Sequence, residues 1–460
     1  MTVSLKEIDW PDFGMPEPPQ GPDLAELRER LAAARAAMTR HGLDVLVVYG
    51  DREHCANLHW LTDFDPRFEE ALLILTATEA VLAAGNECLP YTELSPLVAS
   101  GDIRVVHCAS LSLVSQPRGG LRFDRLVADT IPMGAIVGTI GWKYWTEGEV
   151  ADPAAAIEIP AIIVDLLRER AKQVRNATAL FMNPADGLRA TVSVAEIVRM
   201  EFANQQAAAA LRRMAFSLRE GISDFDAVEA ARVGGLPLGC HITFATGRRA
   251  WQGLSSASGE RLERGSPIAF NICHWRSNIC RAGWVASSAD DLPAAARSYV
   301  EAFAGPYLAA LSDWFAQMRP GVSGGAVWAK TMTALPVERF GITLNPGHLI
   351  GIDEWISSPI FEGSDIPLQS GMAMQCDIIP AHPVFGSTRM EDGYVITDAT
   401  LRAELAARHP TLLRRATARR DFMRAVIGLS VPDDLLPLAD TCGIIAPFLL
   451  APRQVLVLGA

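Results

Sequence analysis

From about Thr191 the chain runs through two helices and then strands, and repeats that order before residue 400, so it is expected to fold around an internally duplicated α/β unit. Ser193-Val194-Ala195-Glu196 reads as a capping box, the serine accepting from an early backbone amide and Glu196 reaching back, ahead of an Ala- and Leu-rich helix to about Ser217. Gly221 closes that helix, and Ser223-Asp224-Phe225-Asp226 opens another that ends at Gly234-Gly235. Ile268 to Ile272 and Asn278 to Val285 follow as strands around a turn. The second cycle has a helix from about Leu292 to Met318, a shorter one from about Gly324 to Leu335, and strands at Met372 to Pro380 and Tyr394 to Thr397.

Upstream, helix and strand signals alternate. Ala25 to His41 has apolar residues at helical spacing and stops at Gly42, and Leu43 to Tyr49 reads as a buried strand. Ala71 to Leu75, Ala80 to Ala84 and Ile103 to His107 are further short apolar runs. The expected class is therefore α/β (α+β), with an α/β domain over 1–185 and the duplicated domain over 186–402. Residues 403–460, an Arg-rich helical stretch and an apolar tail from Ile444 to Leu458, form a C-terminal extension expected to pack on the body or on a partner subunit.

Composition narrows the partners. Forty-one basic against 53 acidic residues give a net charge of −12, and no basic run is interleaved with aromatics, so a nucleic-acid groove is not expected and a small molecule or peptide is. Lys6, Glu7 and Asp9 interrupt the N-terminus, and no segment approaches the roughly 20 apolar residues of a membrane helix. Eight scattered cysteines without a CxxC pair fit a reduced, cytoplasmic setting.

The chemistry lies in three ordered segments: Asn345-Pro346-Gly347-His348-Leu349-Ile350-Gly351-Ile352-Asp353, Gly371-Met372-Ala373-Met374-Gln375-Cys376-Asp377, and Arg389-Met390-Glu391-Asp392. Each alone is a weak signal. In this order and spacing they resemble the C-terminal half of the creatinase/prolidase, or pita-bread, family. Gly265 to Asn271 is similar to that family's first ligand strand, Ser277 to Arg281 to its second, and Leu61 to Arg67 to the segment after an N-terminal signature. The resemblance covers most of the chain to about residue 400 and implies a creatinase-type α/β domain followed by a pita-bread domain, assembled as a homodimer.

In the metal-dependent members, five side chains hold two divalent ions. The resemblance puts Asn271, Asn278, His348, Asp377 and Glu391 at those positions, so two carboxylates have become amides, which are poor ligands for hard or borderline cations. No Asp or Glu occurs from Arg264 through Ala289, so no shift of register restores them. No cofactor is expected. The alternative is a single Mn, Co or Zn ion on His348, Asp377 and Glu391.

The resemblance implies instead a metal-independent, creatinase-like hydrolase acting on a C–N bond of a small carboxylate-bearing amide, amidine or guanidino compound. His348 would shuttle the proton, with Asp377 or Glu391 orienting it or holding a cationic group. The histidine on which creatinase relies falls near Trp251 here, and a glutamate of its site falls at Cys280, so creatine itself is not the expected substrate. Arg67 would grip a carboxylate from the neighbouring subunit, with a surface salt bridge as its alternative. Trp251, Phe64 and Trp355 are candidates to line the pocket, or are plain core. Asn271 and Asn278 are expected to contact substrate.

Cys280 is a candidate nucleophile if His274 or His348 lowers its pKa, and otherwise an inert buried thiol; Cys273 and Cys376 are weaker candidates. His241 falls where prolidases place a substrate-contacting histidine, or is a core histidine. Arg281 matches a family arginine near the site, with a structural role favoured. Three other function classes remain open at this point: an Xaa-Pro-type metallopeptidase, a lyase, and a non-catalytic binding protein.

Overall fold

The computed structural model describes residues 2–251 and 253–459. The chain divides into two compact units, one of residues 20–189 and one of residues 1–19 together with 190–460.

In the unit of residues 20–189, the predicted helix forms at Leu24–Arg40, its first turn capped by the Asp23 carboxylate on the Glu26 amide at 2.8 Å. A six-stranded mixed sheet runs in the order Arg104–His107, Ala80–Ala84, Ala71–Thr76, Val45–Gly50, Ile136–Ile140, Gln173–Asn176. The strand Val45–Gly50 is antiparallel to Ala71–Thr76 and parallel to Ile136–Ile140. Both faces are covered, which is why Val45–Gly50 is buried along its whole length and reads as an uninterrupted apolar run. One face packs Val45, Val47, Ile74 and Val137 against Leu126 and Val127 of one helix and Ile163, Val164 and Leu167 of another.

The second unit carries two four-stranded sheets. One runs Arg389–Glu391, Ser277–Trp284, Pro267–His274, Phe244–Thr246; the other runs His348–Leu349, Ala373–Gln375, Gly393–Ile396, Leu435–Pro437. Ser193 caps the long helix Val194–Ser217 as read from the sequence, its hydroxyl accepting from the Glu196 amide at 3.2 Å. The Glu196 carboxylate also receives Arg199 at 2.9 Å and Arg276 at 2.5 Å.

Two expectations are corrected. The helix predicted from Leu292 starts only at Val300, as a π-helical turn to Ala304 that runs on as the α-helix Gly305–Gln317. Pro293 and Pro306 each lack a backbone donor, and the chain before Gly305 passes through a wide turn, Val300–Ala304, with the Gly305 amide on the Val300 carbonyl. The strand predicted over Met372–Pro380 is regular only at Ala373–Gln375. Residues 403–460 pack on the body, one of the two placements expected for them: Leu405, Leu412, Ala416, Leu436 and Leu438 share a core with Val194, Ile197, Met200 and Val395. The last strand, Gln454–Gly459, pairs antiparallel with Thr2–Glu7, which places the N-terminal residues in this unit. Among the described residues, no helix is long and apolar enough to cross a membrane.

Candidate functional site

The strands Pro267–His274 and Ser277–Trp284 are joined by a tight turn at Trp275-Arg276, with Arg276 in the left-handed region at φ 75°. This pairing sets Asn271 opposite Cys280, and Cys280 opposite Glu391 on the next strand. Directly opposed residues share a face and alternate residues repeat it, so Asn271, Asn278, Cys280 and Glu391 all face the same way. His274 faces the other way.

His348 is delivered from the second sheet by the turn before it. Gly347 has φ 113°, and a Cβ there would lie 2.8 Å from the Gln375 carbonyl, so the turn requires glycine. Trp314 Nε1 donates to the Pro346 carbonyl at 2.7 Å and Ser358 Oγ to the Gly347 carbonyl at 2.7 Å, bracing the loop on both sides. The buried Tyr307 hydroxyl donates to the Ile378 carbonyl and accepts from the Met390 amide, both at 3.1 Å. One phenol therefore ties the neighbour of Asp377 to the neighbour of Glu391.

These elements bring His348, Asp377 and Glu391 together, with one ligand atom from each lying within 4.8 Å of the others. His348 Nε2 is 3.8 Å from Asp377 Oδ2 and 3.9 Å from Glu391 Oε1. A fourth group, absent from the motif reading, is nearer: Glu354 Oε1 lies 3.4 Å from His348 Nε2. Trp355 stacks on the imidazole, centroids 4.1 Å apart at 19°, and Nδ1 sits 3.2 Å from the Leu349 carbonyl. A carbonyl can only accept, so Nδ1 carries a proton, and the lone pair or second proton at Nε2 faces the carboxylates.

The two asparagines form a chain whose direction is determined at its head. The Thr243 amide donates to Asn271 Oδ1 at 2.7 Å, which leaves Asn271 Nδ2 to donate to Asn278 Oδ1 at 3.2 Å. Asn278 Nδ2 then donates to Glu391 Oε1 at 3.0 Å and Glu354 Oε1 at 3.2 Å. A backbone N–H cannot accept, so no amide can be flipped without breaking the chain.

That arrangement decides how well a metal pair fits. Where the resemblance puts two carboxylate ligands, this chain presents neutral amides, and Asn278 gives its N–H groups to Glu391 and Glu354. The donor set therefore does not suit a bridged pair.

Burial raises the Asp377 carboxyl to about 6 and pushes Glu391 well above the usual carboxylate range, with neighbouring carboxylates adding to the effect. Cys280 is wholly buried, and burial pushes its thiol up to about 12 despite Arg389 Nη1 at 3.8 Å, which removes the basis for a Cys280 nucleophile. Cys376 is also buried, and burial raises its thiol well above the ordinary range. The half-exposed thiol at the site is Cys240, with Asn271 Nδ2 3.6 Å from its sulfur; the neighbouring Cys273 thiol draws its pKa down, and Cys240 with burial pushes that of Cys273 up.

The remaining sequence candidates separate. Arg281 is buried and bonds Asp392 Oδ2, the Thr441 carbonyl and the Cys280 carbonyl at 2.7 Å, and the Glu391 carbonyl at 3.1 Å, so its role is to hold the strand carrying Glu391. His241 is exposed rather than part of the core, with Nε2 2.8 Å from the Leu254 carbonyl. Trp251 is 40% exposed at the end of a short turn from Gly247. Arg67 and Phe64 belong to the unit of residues 20–189, where Phe64 is core and Arg67 Nε donates to the Arg52 carbonyl at 3.2 Å. Glu354 lies just past the Gly-His motif, in a loop with no periodicity; the acidic pair Asp353-Glu354 beside that motif is its one signal in the sequence.

No family model and no curated protein matches this sequence. Solved structures do. The prolidase from Pyrococcus horikoshii OT3 aligns at TM-score 0.62 and 16% identity over 80% of this chain and 95% of its own. An Xaa-Pro dipeptidase from Bacillus anthracis aligns at 0.61 and 16% over 81% and 95%, and the dipeptidase PepE from Mycobacterium ulcerans at 0.59 and 20% over 82% and 95%. At these identities the likeness speaks to the fold, and the fold of this chain is the creatinase/prolidase pita-bread fold.

Proposed function

We propose that this chain is a hydrolase that cleaves a C–N bond in a small carboxylate-bearing amide, amidine or guanidino compound without a bound metal ion. The observation that carries the reading is the contact of Asn278 Nδ2 with Glu391 Oε1 at 3.0 Å, which puts an amide donor where a metal-dependent site needs a charged ligand. The neighbours in fold include proteins described as prolidases and dipeptidases, which makes C–N hydrolysis the natural class of reaction.

In this reading His348 Nε2 takes a proton from water, the oxygen attacks the substrate carbon, and the same nitrogen returns the proton to the leaving amine. Trp355 holds the ring in plane and the Leu349 carbonyl holds the tautomer. Glu354 balances the charge that develops on the imidazole, and the acidic cluster receives an amidinium, guanidinium or ammonium group.

A second reading has one observation in its favour. His348, Asp377 and Glu391 converge within 4.8 Å, which suits one divalent ion and an Xaa-Pro-type peptidase. Elemental analysis of protein purified without chelator, paired with a screen of small amide and guanidino acids in chelator, separates the two. Sub-stoichiometric metal with turnover of such a compound is the expected result. A full equivalent of metal, with chelator-sensitive cleavage of dipeptides carrying proline second, overturns the first reading.

A further inference from the structure

The structure assigns a dithiol modification site to Cys240 and Cys273, which a peroxide converts to a disulfide through a sulfenic acid on Cys240. Of the eight cysteines, all free, seven are buried and Cys240 is half-exposed, so a solvent-borne oxidant meets this thiol first.

A resolving thiol stands beside it. The chain from Leu238 runs antiparallel to the end of the strand Pro267–His274, with Leu238 bridged to His274 and the Gly239 amide donating to the Cys273 carbonyl at 3.2 Å. Gly239 faces the Cys273 sulfur so closely that a Cβ there would lie 2.8 Å from it. Cys240 follows Gly239 directly, and its sulfur lies 3.6 Å from Nδ2 of Asn271, two residues before Cys273, so the two thiols occupy one neighbourhood that glycine leaves uncrowded. Cys273 and Asn271 are alternate residues of one strand and face the same way, which accounts for Cys240 touching both.

The steps balance. The Cys240 sulfur attacks one peroxide oxygen, the O–O bond breaks, and the departing oxygen leaves as water, giving Cys240 sulfenic acid. The Cys273 sulfur then attacks the Cys240 sulfur; the S–S bond forms, the S–O bond breaks, and a second water leaves with the Cys273 proton. Two thiols are oxidised and one peroxide is reduced. Because Asn271 Nδ2 contacts Cys240 Sγ and also begins the amide chain to Glu391, oxidation acts on the head of that chain.

The test needs no substrate. The full-length reduced protein is exposed to stoichiometric hydrogen peroxide, alkylated, and digested without reduction. The expected result is an intact mass lower by two hydrogens, loss of two of the eight titratable thiols, and a linked peptide pair joining Cys240 to Cys273. Cys273→Ser should leave Cys240 as a sulfenic acid trapped by dimedone, with no crosslink. Cys240 recovered as sulfinic acid beside an alkylated Cys273, a crosslink to any other cysteine, or an unreacted Cys240 overturns the assignment.

Discussion

Glu354 Oε1 stands 3.4 Å from His348 Nε2, nearer than either carboxylate that the motifs supply. It reaches the site from a loop and retains 27% side-chain exposure, so it partners a wholly buried imidazole from the solvent side. Glu354→Gln keeps the shape and removes the charge. Turnover of whichever amide or guanidino acid the screen identifies should fall by about 10²-fold, as expected for loss of a group that stabilises a catalytic imidazolium. Thermal unfolding should scarcely move; an unchanged kcat would exclude Glu354 from the reaction.

His348→Ala should abolish that turnover, by at least about 10²-fold, while far-UV circular dichroism remains native. A variant with near-native rate would remove His348 from the mechanism altogether.

The amide chain makes a reciprocal prediction about metal. Asn271→Asp with Asn278→Asp restores both carboxylates and should convert the protein from sub-stoichiometric to stoichiometric Mn²⁺ binding in calorimetry. Without metal, Asn278→Asp alone loses its donor to Glu391 and adds like charge, at a cost of about 1–3 kcal/mol in urea unfolding. If wild type and double variant bind Mn²⁺ equally, the asparagines do not govern metal affinity.

Burial raises the Asp377 carboxyl from 3.8 to about 6. Such a group takes up a proton on folding, so its contribution to stability is complete below about pH 4 and is lost as pH rises through about 6. Asp377→Asn removes this loss. The variant should therefore gain on wild type across that window, by on the order of 3 kcal/mol, measured as the difference between their free energies of unfolding in urea. A difference independent of pH would contradict the assignment.

Arg281 and Asp392 form a buried ion pair at 2.7 Å, with Thr441 Oγ1 on the second carboxylate oxygen at 2.7 Å. Arg281→Met strands a buried carboxylate and should cost about 3–5 kcal/mol. The same measurement on an exposed pair such as Arg408 with Glu404 should show about 0.5 kcal/mol or less.

Much of the fold was legible. Apolar period, caps and glycines located Leu24–Arg40, Val45–Gly50 and Val194–Ser217, because their signals are local. The start of the helix that ends at Gln317 was not, because Ala- and Leu-rich sequence reads as helix whether or not prolines have already rerouted its hydrogen bonds. Nor was the pairing of Gln454–Gly459, since its partner strand lies near the opposite end of the chain.

By itself the sequence determined which residues could act: a histidine and two carboxylates in ordered motifs, and amides in place of two expected acids. Those are matters of residue identity. Only tertiary structure decided which way the amides point, that Glu354 is the nearest acid to His348, that Cys280 is sealed while Cys240 is open, and that Arg281 props a strand. Each of these depends on distances between segments remote in sequence, and on burial, which no local pattern encodes.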